Sequence, residues 1–216
     1  MNHDFEAMRS AMVESQLRPN AVDDRRVVRA MATVPREDFL PADKAALAYA
    51  EMLVPLGNGR RMNLPMATGR LLVEAALTPD DHILVVGAAG GYTAALCGGI
   101  AKSVVALEED ETLIAYGADA LSRIPNIESA NGSLAEGWTA SAPYDVIIID
   151  GAIEHLPDAL IEQLADGGRL VSGMFEDGVV RLVYGRKQGE AFGTTAFVDA
   201  QSSSLPGFER PAAFVF

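Results

Sequence analysis

Short apolar runs alternate with segments of helical character from residue 78 onward. Residues 83–86, 103–107 and 145–149 are almost continuously apolar, as expected of strands that are covered on both faces. Helices are predicted between them at residues 92–100, 111–122 and 157–164. Further strands are predicted at residues 169–171, 179–184, 194–198 and 212–216, the last three at one antiparallel edge. This alternation predicts an α/β fold with a mostly parallel central sheet and right-handed crossovers.

The first 77 residues have a different pattern, in which helical periodicity dominates. Helices are predicted at residues 4–17, at 23–34 behind an aspartate N-cap, directly after Pro41 and at 64–77. Residues 55–65 are rich in glycine and proline and predict a loop. We expect residues 1–77 to form a helical cap on a core of residues 78–216, within a single domain.

Composition narrows the classes of function. The 216 residues include 30 acidic and 17 basic side chains, and the resulting net charge of −13 disfavours nucleic acid and anionic membranes as partners. The single cysteine and the absence of Cys/His zinc spacing argue against a metal site. The N-terminus lacks the apolar region of a signal peptide, and no apolar stretch approaches the ~20 residues of a membrane helix. We therefore expect a cytoplasmic protein.

The sequence ILVVGAAGGY (83–92) joins a predicted buried strand to a predicted helix through a glycine-rich turn. Gly87 lets the chain turn without a Cβ clash, and the small Ala88 and Ala89 allow a ligand to approach the backbone. Amide groups at the start of the helix are free to donate hydrogen bonds. Because the turn lacks the complete G-x-G-x-x-G spacing, a purely structural strand–helix turn explains it equally well.

Glu108 strengthens the ligand-binding interpretation. It ends the next predicted strand, 21 residues after Gly87, which is the offset at which an acid meets the hydroxyls of a bound ribose. The alternative is that Glu108 and Glu109 only begin an acidic helix terminus. Together the two features favour an adenosine-containing ligand, and the incomplete pyrophosphate turn disfavours a nicotinamide oxidoreductase.

Five segments of the chain, in the expected order and spacing, resemble the protein-L-isoaspartate O-methyltransferase family. The segments are VPREDFLP (34–41), AYAEMLVPLGNG (48–59), ILVVGAAGGYTAAL (83–96), EGWTASAPYDVIIIDGA (136–152) and LPDALIEQLADGGRLV (156–171). The resemblance continues more loosely through TTAFVDAQSSSLPGF (194–208). It implies a Rossmann-like class I fold, S-adenosyl-L-methionine as cofactor and an aberrant aspartyl carboxylate of a peptide or damaged protein as methyl acceptor.

The chain departs from the family pattern at positions that matter for the site. Where the family has G-Q-T-I-S-x-P, this chain has GRRMNLP, so Asn63 replaces the serine. Val85 replaces the acid of the first strand, and Ala89 replaces the second glycine of the turn. Asp150 stands where the family has threonine. The acid of the family's G-D pair is missing, because the pair aligns with Gly132-Ser133 or, with a shifted gap, with Ala130-Asn131. These changes place the isoaspartyl specificity in more doubt than the methyltransferase fold.

The resemblance and the residue types predict a site. Asn63, Arg60 and Arg61 are predicted to orient the acceptor carboxylate, and Asp150 to meet the cofactor's ammonium group or to exclude a wrong substrate. The cofactor-binding residues are predicted to be Gly87, Ala88, Ala89, Gly90, Gly91, Glu108, Glu109, Ser133 and Leu134. Alternatively, Asn63 is the N-cap of the following helix, the arginines are solvated and Asp150 caps the turn at Gly151.

Two other functions remain open at this point. The replacements at Asn63 and Asp150 are compatible with a methyltransferase that uses a different acceptor. The loss of the serine and of two acids is also compatible with a non-catalytic protein that binds a nucleoside for regulation. The sequence leaves the oligomeric state open between a monomer and a weak dimer.

Overall fold

The computed structural model describes residues 4–210. A seven-stranded sheet runs through these residues in the spatial order β5-β4-β3-β6-β7-β8-β9. Its parallel strands are β3 (His82–Val86), β4 (Ser103–Glu108), β5 (Ile127–Asn131), β6 (Tyr144–Ile153) and β7 (Leu164–Glu176). The last two, β8 (Val179–Gln188) and β9 (Ala191–Asp199), pair antiparallel at one edge. The mostly parallel sheet with an antiparallel edge is confirmed; the strand predicted at 212–216 lies outside the described residues.

The strands in the middle of the sheet are covered on both faces. Ile83 and Val85 of β3 point into one apolar core, and Leu84 and Val86 point into a second core on the opposite face. This alternation is the period of two that a strand imposes on its side chains. The continuous apolar run of β3 therefore reflects two separate cores rather than one.

Helices α4 (Tyr92–Gly98) and α5 (Glu111–Leu121) follow β3 and β4, and the short α6 (Asp158–Glu162) follows β6. The N-terminal region contributes α1 (Phe5–Met12), α2 (Arg25–Thr33) and α3 (Pro65–Glu74). Their apolar residues join the first core together with α4 and α5, whereas Leu160 of α6 packs in the second core. Asp24 caps α2 through bonds to the amides of Arg26 and Val27, as its sequence predicted.

Three predictions about local structure are wrong or incomplete. Residues 55–65 form an antiparallel hairpin rather than a loop, with β1 (Val54–Gly57) and β2 (Arg60–Met62). The helix predicted after Pro41 consists of 3₁₀ turns over Ala42–Leu47. Strand β5 was not predicted, because most of its residues are polar and three of its five side chains are exposed at the edge of the sheet. No helix in residues 4–210 is long and apolar enough to cross a membrane.

Candidate active site

The site lies where β3 and β4 end and where β6 stops pairing with β3. Val86 of β3 pairs with Leu107 of β4 on one side and with Ile149 of β6 on the other. The residues that follow, Gly87 and Asp150, therefore emerge side by side. The chain leaves β3 toward β4 while β6 lies on its other side, so this is the switch point at which open α/β sheets bind ligands.

The glycine-rich turn is tightly built, and its amides are largely engaged within the protein. Gly87 and Gly91 have positive φ angles of 74° and 92°, which glycine adopts without strain. The amides of Gly87 and Ala88 both donate to the carbonyl of Leu107, each at 3.0 Å. A methyl group at Gly90 would lie 2.6 Å from the carbonyl oxygen of Phe39, so only glycine fits against that backbone. The turn thus packs closely against the cap.

Glu108 is buried beside this turn, with 1% of its surface exposed. Its Oε2 atom accepts a bond of 2.8 Å from the amide of Ala89, and its Oε1 atom accepts one of 3.0 Å from the amide of Glu109. Arg60 donates to both oxygens, from Nη1 to Oε1 at 2.8 Å and from Nη2 to Oε2 at 3.0 Å. The carboxylate predicted to bind ribose is therefore already held by a bidentate ion pair.

Arg60 and Arg61 occupy opposite sides of β2, because neighbouring residues of a strand point to opposite faces. Arg60 is 5% exposed, and its Nη2 atom also donates to the carbonyl of Gly87 at 3.1 Å. This corrects the prediction that Arg60 orients an acceptor, since its guanidinium faces Glu108 and the turn. Arg61 is exposed at the mouth of the crevice, so only one of the two arginines is free to meet an approaching anion.

Asn63 connects the hairpin to β6 and to the C-terminal region. Its Nδ2 atom donates to Oδ1 of Asp150 at 2.8 Å, and its Oδ1 atom accepts from the hydroxyl of Ser202 and the amide of Ser203, both at 2.8 Å. The alternative role as an N-cap is wrong, because Leu64 is the N-cap of α3 and has no side-chain cap bond. Asn63 thus joins three segments at the site.

The carboxyl of Asp150 faces this asparagine rather than capping the turn at Gly151. Burial raises its pKa, and bonds from the Thr93 hydroxyl and the Asn63 amide, together with the charges of Arg36 and Arg60, oppose that rise without cancelling it. An aspartate at this position therefore holds a proton to higher pH than it does in water. Such a perturbed group at a strand end is typical of a functional crevice.

Arg36 is a member of the site that the sequence did not identify. Its side chain is completely buried, donates from Nη2 to the carbonyl of Asn63 and lies over the ring of Tyr92 at 4.8 Å. Its Nε and Nη1 atoms are buried without a hydrogen-bond partner. Arg36 lies in VPREDFLP, one of the segments that resemble the family, but nothing in that segment indicates that the arginine is buried.

Residues 200–208, which we call the strap, close the site from the C-terminal side. The carbonyl of Ser203 accepts from the amide of Ala152 at 2.7 Å, and the amide of Leu205 donates to the carbonyl of Ala152 at 3.0 Å. Farther along, the carbonyl of Phe208 accepts from the amides of Glu154 and His155. The strap therefore follows the final residues of β6 and the turn after it. No pattern in residues 200–208 predicts a contact with the site.

Leu205 of the strap fills the space above the strand ends. A methyl group at Gly87 would lie 2.9 Å from its Cδ1 atom, and one at Gly151 would lie 2.5 Å from its Cγ atom. The space remaining between the glycine turn, Asn63 and Asp150 is about 10 Å³. This volume is about the minimum that one water molecule requires.

The other predicted cofactor residues lie along the same edge of the sheet. The amide of Gly132 donates to the carbonyl of Glu108 at 3.2 Å, which brings the end of β5 next to β4. Leu134 is buried in the second core, whereas Ser133 and Glu109 are exposed. Their roles toward a cofactor stay predictions. Residues 4–210 contain no cluster of His, Cys, Asp or Glu side chains that is suited to a metal ion.

Comparison with known proteins identifies the family. The sequence model of Protein-L-isoaspartate(D-aspartate) O-methyltransferase matches residues 7–198. The chain belongs to the protein-L-isoaspartate(D-aspartate) O-methyltransferase family. The family resemblance seen in the sequence motifs is therefore confirmed.

Two relatives show how far this family similarity extends. A protein-L-isoaspartate O-methyltransferase from Koribacter versatilis is 36% identical over 205 residues, covering 94% of this chain and 92% of the relative. One from Herpetosiphon aurantiacus is 32% identical over 209 residues, covering 96% and 93%. The similarity thus extends over nearly the whole chain.

Solved structures confirm the Rossmann-like class I fold. A protein-L-isoaspartate O-methyltransferase superimposes with a TM-score of 0.79 at 19% identity, covering 92% of this chain and 66% of that one. A putative protein-L-isoaspartate O-methyltransferase from Plasmodium falciparum, solved in complex with S-adenosyl-L-homocysteine, has a TM-score of 0.78 at 17% identity and covers 94% and 99%. Because both identities are below 20%, these superpositions establish the fold of the chain and not its function.

Proposed function

We propose that this chain is an S-adenosyl-L-methionine-dependent O-methyltransferase that esterifies an aberrant aspartyl carboxylate in damaged proteins or peptides. The observation that carries the proposal is the match to the protein-L-isoaspartate O-methyltransferase family over residues 7–198, with a relative of that name 36% identical over 94% of the chain. The crevice at the switch point of the sheet supports it. There a glycine turn meets an acid at the end of the next strand.

The cofactor does not fit the crevice in the arrangement that the structure adopts. Pockets for small molecules have volumes of about 300–1,000 Å³, whereas the space beside the glycine turn is about 10 Å³. Both oxygens of Glu108 are bonded to Arg60, and Leu205 lies over Gly87 and Gly151. The residue types suit an adenosyl ligand, but their present arrangement leaves it no volume.

The acceptor carboxylate makes modest demands on the protein. An aspartyl carboxylate has a reference pKa of about 3.9 and is ionised at neutral pH, so it requires no general base. We assign its attraction to Arg61, the exposed cation at the mouth of the crevice. Asn63 and Asp150 would form the wall behind it, and Arg60 would act through Glu108 rather than on the acceptor.

The direct test is a methylation assay with two matched peptides. The purified chain is incubated with radiolabelled S-adenosyl-L-methionine and a peptide that contains one isoaspartyl residue, and base-labile methyl ester is counted. The same peptide with a normal aspartyl residue is the control. We expect saturable ester formation on the isoaspartyl peptide only. Absence of ester on both peptides at millimolar concentration contradicts the proposed substrate.

One observation favours a different carboxylate acceptor as the second candidate. The Asn63 side chain stands where the family motif has serine, and both of its polar atoms are bonded to Asp150 and the strap. It therefore presents no hydroxyl to a peptide acceptor. A panel of small carboxylic acids in the same assay tests this candidate, and methyl transfer to one of them with none to the isoaspartyl peptide would select it.

We further propose a cytoplasmic location and residues 1–216 as one methyltransferase domain. The net charge of −13 supports a protein or peptide partner over nucleic acid. Size-exclusion chromatography with light scattering measures the oligomeric state, which is open between monomer and weak dimer.

A further inference from the structure

Two side chains fill the crevice at the switch point of the sheet, where open α/β sheets bind their ligands. Leu205 lies directly above Gly87 and Gly151, the glycines just beyond the last residues at which β3 and β6 pair. The guanidinium of Arg60 occupies both oxygens of Glu108, and its Nη2 atom would lie 3.3 Å from a methyl group at Gly87. The crevice is therefore filled from above by the strap and from the side by the hairpin.

The hydrogen bonds at this position leave few donors or acceptors for a ligand. The amide of Ala89, which a ligand at the turn would use, donates to Glu108 at 2.8 Å. The carbonyl of Gly87 accepts from Arg60 at 3.1 Å. A ribose that binds Glu108 must therefore displace Arg60 or share the carboxylate with it, and any group above Gly87 must displace Leu205.

The strap is attached in a way that allows it to separate from the sheet. Its pairing with β6 is an isolated bridge between Ala152 and Ser204 outside the regular strand ladders, made by the two backbone bonds of Ala152 to Ser203 and Leu205. It begins after β9, the antiparallel edge strand, so no strand of the sheet must unpair for it to move. It is held by the burial of Leu205 and Phe208 in the second core and by a limited set of hydrogen bonds, to Asn63 and to the backbone of residues 152–155.

We propose that the strap, through Leu205 and with the Arg60–Glu108 ion pair, is an autoinhibitory cover on the cofactor crevice. The proposal rests on the proposed function, since it takes an adenosyl sulfur compound as the ligand of the crevice. The ligand binds after Leu205 leaves Gly87 and Gly151, and the strap closes again when the ligand departs. A ligand that binds only the open state has an apparent affinity reduced by the fraction of molecules that are open.

The first test compares the affinity of S-adenosyl-L-homocysteine for three full-length chains by isothermal titration calorimetry. Leu205→Ala removes the side chain above the two glycines and keeps the backbone of the strap. Leu160→Ala is the matched control, because Leu160 is buried in the same core but lies against Gly137. We expect Leu205→Ala to bind at least about tenfold more tightly than the wild-type chain. The control should stay within about twofold of wild type.

Equal affinities of the wild-type chain and Leu205→Ala overturn the proposal. Failure of both chains to bind S-adenosyl-L-homocysteine also overturns it, because Leu205 is then not what excludes the ligand. Methyl transfer to the isoaspartyl peptide, measured on the same preparations, reports separately on the proposed function. Tighter binding by Leu205→Ala without transfer to any acceptor retains the cover and rejects the proposed function.

A second measurement uses the wild-type chain alone and so does not depend on a variant that folds. Hydrogen exchange at the Leu205 amide, which bonds to the carbonyl of Ala152, is followed with and without saturating S-adenosyl-L-homocysteine. If the ligand displaces the strap, exchange in residues 200–208 becomes faster when the ligand binds. Slower exchange would mean that the strap packs on the bound ligand, and that result overturns the proposal.

Discussion

Glu108 and Asp150 are two carboxylates at the ends of strands on either side of β3, yet the protein treats their charges differently. Glu108 receives a bidentate guanidinium and three backbone amides, from Ala89, Glu109 and Asp110. Asp150 receives the neutral amide of Asn63 and the hydroxyl of Thr93, and no described ion pair joins it to a cation. The Glu108 carboxylate is thus compensated by a direct ion pair, whereas the Asp150 carboxyl is bonded only to neutral groups.

The difference follows from which segment reaches each strand end. The hairpin β1–β2 turns Arg60 inward toward β4, whereas the next inward-facing polar residue of that segment, Asn63, meets β6. Of the cations around Asp150, Arg36 lowers the pKa of its carboxyl most, but the hydrogen bond of Arg36 goes to the carbonyl of Asn63. Removing the cation that pairs with Glu108 should therefore destabilise the protein, whereas neutralising Asp150 should stabilise it.

The largest effect is expected from Arg60→Met, which leaves Glu108 buried without its cation. Breaking a buried ion pair by removing one partner lowers the free energy of unfolding by about 3–5 kcal/mol. Urea unfolding followed by circular dichroism measures this. Adding Glu108→Gln to Arg60→Met should restore part of the loss, because the uncompensated charge is then absent. A loss below about 1 kcal/mol would show that Glu108 is solvated by its amides alone.

A smaller loss is expected for Asn63→Ala. The change removes the donor to Asp150 and the acceptor for Ser202 and Ser203, so polar groups on two other segments lose their partner. The expected loss in the free energy of unfolding is about 2–3 kcal/mol. Asn131→Ala, at an exposed position at the end of β5, is the control and should change stability by less than about 0.5 kcal/mol. Equal losses in the two variants would contradict the bridging role.

Asp150→Asn should stabilise the protein at neutral pH. Because burial raises the pKa of the Asp150 carboxyl, the folded state binds a proton more tightly than the unfolded state, and stability falls as pH rises from the unfolded pKa through the folded one. An asparagine side chain does not ionise, so the variant avoids the cost of burying a charged carboxylate. The gain in melting temperature over the wild-type chain should therefore be larger at pH 7 than at pH 4.

Calorimetric melting curves at the two pH values measure this gain. Asp80→Asn, at an exposed position before β3, is the matched control. Its difference in melting temperature from the wild-type chain should not increase comparably between pH 4 and pH 7. A gain for Asp150→Asn that is the same at both pH values would mean that the carboxylate is adequately compensated in the folded state.

The smallest effect on stability is expected for Arg61→Gln, because Arg61 is exposed on the outer face of β2. The free energy of unfolding should stay within about 0.5 kcal/mol of wild type. Under the proposed function, KM for the isoaspartyl peptide should rise several-fold with little change in kcat, since an exposed charge at a rim mainly aids encounter. Arg123→Gln, an exposed arginine after α5, is the control for lost net charge. An unchanged KM would remove Arg61 from the site.

The strands at the centre of the sheet were predictable because their sequence signal is local. The run from Ile83 to Val86 is apolar at every position, and a strand with a core on each face requires that. The hairpin was missed because its strands are only four and three residues long and are rich in glycine and arginine. Short, polar strands carry no period that distinguishes them from a loop.

The sequence predicted which residues form the candidate site better than it predicted what each of them does. The sequence pointed to Glu108, Asn63 and Asp150, and the structure brings all three to one edge of the sheet. It did not indicate that Arg60 would bind Glu108, which is 48 positions away, or that Leu205 would lie over Gly87. Contacts across such separations depend on how the hairpin and the strap cross the sheet, and no residue pattern within either segment records that.

The sequence by itself determined the parallel sheet, the glycine turn and the family, because apolar period, turn chemistry and ordered motifs are all properties of neighbouring residues. Only the tertiary structure decided which charges are paired and whether the crevice is open. Those outcomes depend on side chains from the hairpin, β4, β6 and the strap meeting in one small volume. A side chain displaced by a few ångströms there changes a binding pocket into a packed core.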